Sequence, residues 1–129
     1  MSKNGVDRFD LSTFFGRIDG HVESVEQPQE TAMIVEYLRY EIESARQEKF
    51  VDDYRAASVP LLASPYATSF DLCQCDEDPQ QFILRIEWTS ADDHMKGFRS
   101  SQEFKDFFMH IKSYLKDIVE MRHYTRRLG

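Results

Sequence analysis

Residues 87–108, EWTSADDHMKGFRSSQEFKDFF, constrain the fold of this chain more than any other stretch. They place the chain's one tryptophan, Trp88, at the end of an apolar strand. A short helix follows behind Ser90, and then a second helix rich in phenylalanine. A serine followed three residues later by an acid marks a helix start, because the two side chains satisfy N–H groups that the first turn leaves unpaired. Ser90 with Asp93 fits this pattern, and Ser100 with Glu103 fits it again, with Ser101 as the alternative cap. Side chains alternate along a strand, so Trp88 shares one face with Phe82, Leu84 and Ile86.

The remaining elements assemble around that unit. Residues 32–42, AMIVEYLRYEI, read as a first strand that is apolar on both faces. A helix is expected from Ser44, with Gln47 as capping-box partner and Phe50, Tyr54, Ala57 and Leu61 on its core face. Pro60 is expected to end or kink it near Ser58. Residues 66–75 and 81–89 form a hairpin across the acidic turn Asp76-Glu77-Asp78-Pro79. Phe104, Phe107, Phe108, Ile111 and Leu115 make the buried stripe of the later helix, and residues 117–127 close the sheet.

The order is βαββαβ. It predicts an α+β, ferredoxin-like domain over residues 32–129, with an antiparallel sheet covered on one side by helices. A first strand apolar on both faces implies that the other side of the sheet is covered as well. A second copy of the chain, sheet against sheet, supplies that cover in a symmetric homodimer. Residues 1–31 are polar and acidic around Phe9, Leu11, Phe14, Phe15 and Ile18, and Asp10 or Ser12 can cap a short helix there. They read as an N-terminal arm that packs on the body or on a partner.

Composition narrows the class. Hydrophobic residues at 41% and charged residues at 30% indicate a soluble globular protein. No run reaches the ~18 apolar residues of a membrane span. The N-terminus lacks a basic segment followed by an apolar one, so a cytoplasmic location is expected. The net charge of −7 argues against a nucleic-acid partner, because the only basic cluster is Arg122, Arg126 and Arg127. Cys73 and Cys75 read as unpaired thiols of a reducing compartment. G-x-S-x-G, Walker and G-x-G-x-x-G motifs are all missing, so hydrolysis, phosphoryl transfer and dinucleotide binding lack support.

The segments IEWTSADDHMKGFRSS, EFKDFF and EMRHY resemble the antibiotic biosynthesis monooxygenase family, whose members are dimeric α+β barrel proteins. The resemblance runs over residues 32–127. Its most specific part is E-W-x-S with a histidine six residues after Trp88, then F-x-x-S. It implies cofactor-independent oxygenation of a small aromatic or quinone-type substrate in a pocket between sheet and helices, with no flavin, metal or haem. The substrate loses a proton and its carbanion meets O₂. Trp88 matches the family's strand-end tryptophan, and His94 lies where some members carry a tyrosine or histidine. A haem-degrading branch of the superfamily uses a helix histidine, a second tryptophan and a strand-one asparagine. Phe108 and Phe98 stand at or near the first two positions and strand one has no asparagine, so haem degradation is not expected.

His94 is therefore the candidate catalytic base or hydrogen-bond donor, since an imidazole pKa of ~6.5 suits proton abstraction near neutrality. The competing reading is a helix-surface histidine beside Asp92 and Asp93. Trp88, Tyr37, Tyr54, Phe98 and Phe108 are the candidate pocket lining. Tyr37 and Tyr40 fall on opposite strand faces, so only one faces the helices. Plain core packing and structural hydrogen bonding explain Trp88 and the tyrosines equally well. His110 is expected to face solvent, and His123 to serve packing or a dimer contact. Without H-x-x-x-H or H-E-x-x-H spacing, no metal site is expected.

A second reading belongs to another class: a non-catalytic small-molecule-binding or stress-associated dimer on the same fold. A pocket filled by Phe104, Phe107, Phe108 and Trp88 favours it. A cavity on the order of a few hundred Å³ with His94 exposed inside favours the enzyme. A third reading makes the N-terminal arm a protein-interaction segment.

Overall fold

The computed structural model describes residues 33–129. The expected arm, with its apolar cluster and helix cap, lies outside the described residues. Four strands form one antiparallel sheet in the order β2-β3-β1-β4. They are β1 (Ile34–Glu41), β2 (Ala67–Gln74), β3 (Gln81–Trp88) and β4 (Ile118–Thr125). Helices α1 (Gln47–Ala63) and α2 (Gln102–Ile111) connect them. This is the ferredoxin-like α+β arrangement, with the two crossovers from a central strand to an edge strand carried by the helices.

The core follows from alternation. Phe82, Leu84, Ile86 and Trp88 of β3 are buried toward the helices and oppose the inward side chains of β1. From α1, Phe50, Tyr54, Ala57 and Leu61 meet them, and from α2, Phe107 and Ile111. Each such side chain contributes about 1.5–3 kcal/mol when fully buried. At the centre, Phe50 makes edge-on contacts with Tyr40, Tyr54, Phe82 and Tyr114.

Several local expectations are corrected. Gln47 does not complete a capping box. Its amide donates to the carbonyls of Ile42 and Pro79, tying the start of α1 to the β2–β3 turn. A 3₁₀ turn (Ser44–Arg46) precedes the helix instead. Pro60 does not end α1, which runs on to Ala63. The carbonyl that loses its donor belongs to Ala56 on the exposed face, where water can replace it, and buried Leu61 anchors the last turn. The second cap is Ser101, whose hydroxyl accepts from Phe104 N at 3.1 Å, so Glu103 is not in box position. After α2, the 3₁₀ stretch Lys112–Asp117 turns Tyr114 rather than Leu115 into the core. Tyr114 then donates to Asp53 at 2.6 Å.

The outward face of β1 is mixed rather than apolar. It carries Val35 and Tyr37 but also Arg39 and Glu41. Around them, Arg39 and Arg122 pair with Glu120, and Arg85 and Arg126 pair with Glu87. The inward face of β1 also carries one acid, the buried Glu36. Cys73 and Cys75 are both unpaired. Among the described residues no helix is long and apolar enough to cross a membrane.

Candidate active site

The site begins where β3 ends. Ser90 opens the next segment as expected, its hydroxyl accepting from Asp93 N at 3.1 Å. The segment then departs from the α-helix. Residues Asp93–Phe98 form a π-helical turn, in which Arg99 N–H reaches back five residues to the His94 carbonyl at 3.4 Å. A π-turn is wider than an α-turn and occurs most often at functional sites. Here it turns both His94 and Phe98 inward, where they are buried. Gly97 lets the turn approach β2: a Cβ on it would stand 2.6 Å from the Tyr66 ring.

The imidazole of His94 stacks on the indole of Trp88, with centroids 4.3 Å apart and planes 13° from parallel. Phe98 packs on the same indole at 4.9 Å. Only 6% of His94 is exposed, which rules out the helix-surface reading. Its Nε2 lies 3.6 Å from Oε1 of Glu36, while its Nδ1 is buried without a hydrogen-bond partner.

Glu36 organises the site. It is 2% exposed and projects from β1 toward the helices. Trp88 Nε1–H donates to its Oε1 at 3.0 Å. On the other side, His123 Nε2 of β4 lies 3.5 Å from Oε2. Register explains the meeting: β1 pairs Glu36 directly with His123, and Trp88 closes the same end of β3 opposite Ile34. Burial pushes the Glu36 carboxyl up, but His94, His123 and the Trp88 bond together outweigh it and hold the group below the usual carboxylate range. For His94, burial dominates and lowers the imidazole to about 4, so it is neutral at physiological pH. His123 shifts upward: burial lowers it, but the hydrogen bond and charge of Glu36 prevail.

A cavity opens beside this group, lined by Glu36, Trp88, His94, Phe98, Phe104 and Phe107, among others. Its free volume is about 10 Å³, room for about one water molecule. The aromatic side chains fill the rest.

Of the sequence candidates, Trp88, His94 and Phe98 come together on this wall. Three others do not. Tyr37 points to the opposite face of the sheet, paired edge-on with Tyr124 in an open depression that also holds Arg39 and Ile83. Tyr54 is deep core, its hydroxyl bonded to that of Tyr40. Phe108 stacks on Phe104, and the cavity wall is made by Phe107 in its place. Sequence reasoning missed Glu36 altogether and left His123 to packing. The donor atoms of Glu36, His94 and His123 all lie within 4.8 Å of one another, although the residues are far apart in sequence.

Comparison with known proteins agrees with the architecture. The family profile of the antibiotic biosynthesis monooxygenases matches residues 33–109. The chain is 23% identical over 92 residues to the Bacillus subtilis protein YczJ, covering 71% of this chain and 97% of that protein. It is 28% identical over 90 residues to SchA of Streptomyces halstedii; this covers 70% of the chain but spans only 23% of SchA. Among solved structures, a Bordetella bronchiseptica protein assigned to the antibiotic biosynthesis monooxygenases superposes with a TM-score of 0.63 at 22% identity, over 75% of this chain and 99% of that one. SnoaB of Streptomyces nogalater, a cofactor-independent oxygenase, superposes with a TM-score of 0.61 at 12% identity, over 76% of this chain and 96% of that one. At these identities the structural likenesses speak for the fold.

Proposed function

The chain belongs to the antibiotic biosynthesis monooxygenase family, and from that premise we propose that it is a cofactor-independent monooxygenase acting on a small aromatic or quinone-type substrate, with His94 as base. One observation carries this reading. His94 lines a largely aromatic cavity and has a buried, unpartnered Nδ1, while its Nε2 faces a buried carboxylate. The Glu36 charge, 3.6 Å from Nε2, favours the tautomer with the imidazole proton on Nε2, which leaves the lone pair on Nδ1. When Nδ1 takes a proton from the substrate, the imidazolium forms beside the Glu36 anion, which offsets part of the burial that lowers the group to about 4. Trp88 fixes the plane of the imidazole by stacking and fixes the carboxylate by its N–H.

In a substrate with an acidic methylene, the C–H proton passes to His94 Nδ1 and the carbanion is oxidised by O₂ with formation of a C–O bond. The peroxide so formed takes the proton back. The O–O bond then breaks with loss of the second hydrogen, giving a ketone and one water. Exclusion of water by the aromatic wall protects the carbanion.

The small free volume means that side chains of the cavity wall must move for a substrate to enter. The same observation favours the second reading, a non-catalytic dimer on this fold with its pocket filled. A homodimer is part of either reading. Its support is the exposed apolar set Tyr37, Ile83, Val119 and Tyr124 on the sheet's outer side.

Oxygen uptake with a panel of hydroquinones and anthrone-like phenols tests the enzyme. We expect uptake by the wild type, reduced at least about 100-fold in His94→Ala, in line with the loss of a general base. A folded dimer that consumes no oxygen with any compound turns the balance to the non-catalytic reading.

A further inference from the structure

We propose that Glu36, His94 and His123 form a binding site for a divalent first-row transition metal of the zinc type. Three donors on three separate elements, β1, the π-turn and β4, converge at the end of the sheet. The separations are 3.6 Å from Glu36 Oε1 to His94 Nε2 and 3.5 Å from Oε2 to His123 Nε2. Each imidazole faces a different oxygen of the carboxylate, and the donor atoms of the three residues lie within 4.8 Å of one another; ligands at 2.0–2.1 Å around a tetrahedral ion stand about 3.3 Å apart, so an ion would draw the two imidazoles toward the carboxylate.

The surroundings suit an ion. Among the described residues no lysine or arginine lies within ion-pair distance of Glu36, so the buried carboxylate is opposed only by two imidazoles. A buried charge without a full counter-charge is costly, and a cation relieves it. The Trp88 N–H on Oε1 is the kind of outer bond that orients a ligating carboxylate. The ring nitrogen of His94 that would not ligate is the orphaned Nδ1, and the cavity that His94 lines has room for about one water. His123, with 32% of its side chain exposed, gives the ion a way in. Two imidazoles in a set of three exclude magnesium and calcium, which take oxygen ligands.

Metal binding and the base role compete. An ion on Nε2 places the ring proton on Nδ1 and removes the lone pair that would attack a substrate. Binding can be measured without any turnover, so failure of one reading is separate from failure of the other.

The test uses EDTA-treated full-length protein carrying Cys73→Ser and Cys75→Ser, so that the two thiols cannot compete. Zinc, cobalt and magnesium are titrated at pH 7.5 by calorimetry and by thermal denaturation. We expect one zinc per chain with Kd below about 10 µM, a raised Tm, a cobalt d–d absorption band, and no response to magnesium. Glu36→Gln, which keeps size and shape, and His123→Ala should each weaken zinc at least 10-fold. His110→Ala, on the exposed side of α2, should leave it unchanged. Absence of saturable zinc binding below about 100 µM in the folded protein overturns the proposal. So does binding that neither Glu36→Gln nor His123→Ala weakens.

Discussion

The indole N–H of Trp88 donates to Oε1 of Glu36 at 3.0 Å, joining two side chains that are 1% and 2% exposed. A hydrogen bond to a buried charge contributes about 1.5–3 kcal/mol. Trp88→Phe keeps an aromatic ring in the stack but leaves that carboxylate oxygen without its donor. We expect it to lower stability by about 2 kcal/mol. The measurement is urea denaturation followed by circular dichroism, since the substitution removes the chain's one tryptophan. A loss under 0.5 kcal/mol, roughly the scale of a surface substitution, would mean that water replaces the indole.

The Tyr40 and Tyr54 hydroxyls bond to each other in the core. Removing one leaves the other buried and unpaired, at a cost of about 1–3 kcal/mol. Removing both leaves no orphan. Tyr40→Phe/Tyr54→Phe should therefore be less destabilised than the two single variants summed, by about 1 kcal/mol or more in a double-mutant cycle. Strict additivity would show that the hydroxyls are not coupled.

The same pair contributes, with Tyr114, to behaviour at high pH. Burial is the main cause that raises Tyr40 and Tyr54 well above the ordinary phenol value. Above about pH 10 an unfolded tyrosine ionises while these two stay protonated. The native state then binds more protons than the unfolded one, and stability falls as pH rises. Their contribution is complete below about pH 10 and declines above it. We expect Tm to drop between pH 9.5 and 11.5, roughly the window in which phenols titrate, with part of the phenolate absorbance at 295 nm appearing only on unfolding. Tyr40→Phe/Tyr54→Phe should flatten that decline. Equal slopes in wild type and variant would refute the assignment.

Gly97 faces the ring of Tyr66, and a methyl group would stand 2.6 Å from it. Gly97→Ala should cost about 1–3 kcal/mol, the usual range for overpacking. Tyr66→Ala in the same chain opens space for the methyl. Thermal denaturation of both should show the second change recovering part of the first loss.

Much of the frame was legible. Strict alternation in Phe82, Leu84, Ile86 and Trp88 located β3 and its buried side, and Ser90 with Asp93 located the next turn. What escaped depended on partners brought in from elsewhere. Tyr37 was expected in the pocket because it is aromatic, but its position in β1 puts it on the other side from Tyr40. Phe107 and Phe108 are neighbours in sequence, and only packing against the sheet decides which turns in. Glu36 was readable in principle. It shares strand parity with Ile34, Leu38, Tyr40 and Ile42, and an acid in such a row is costly unless it has partners. Those partners, His94 and His123, sit on other elements, so no contiguous motif announced them. The π-turn leaves no periodic signature in six residues.

That turn gives the site slack in one direction. It holds one residue more between its hydrogen-bonded groups than an α-turn does. Loss of one residue between His94 and Phe98 would return the backbone to α-helical pitch with the two side chains three positions apart, still on nearly one face. Gain of one residue there would rotate every later side chain by about 100° and carry Phe98 off the indole.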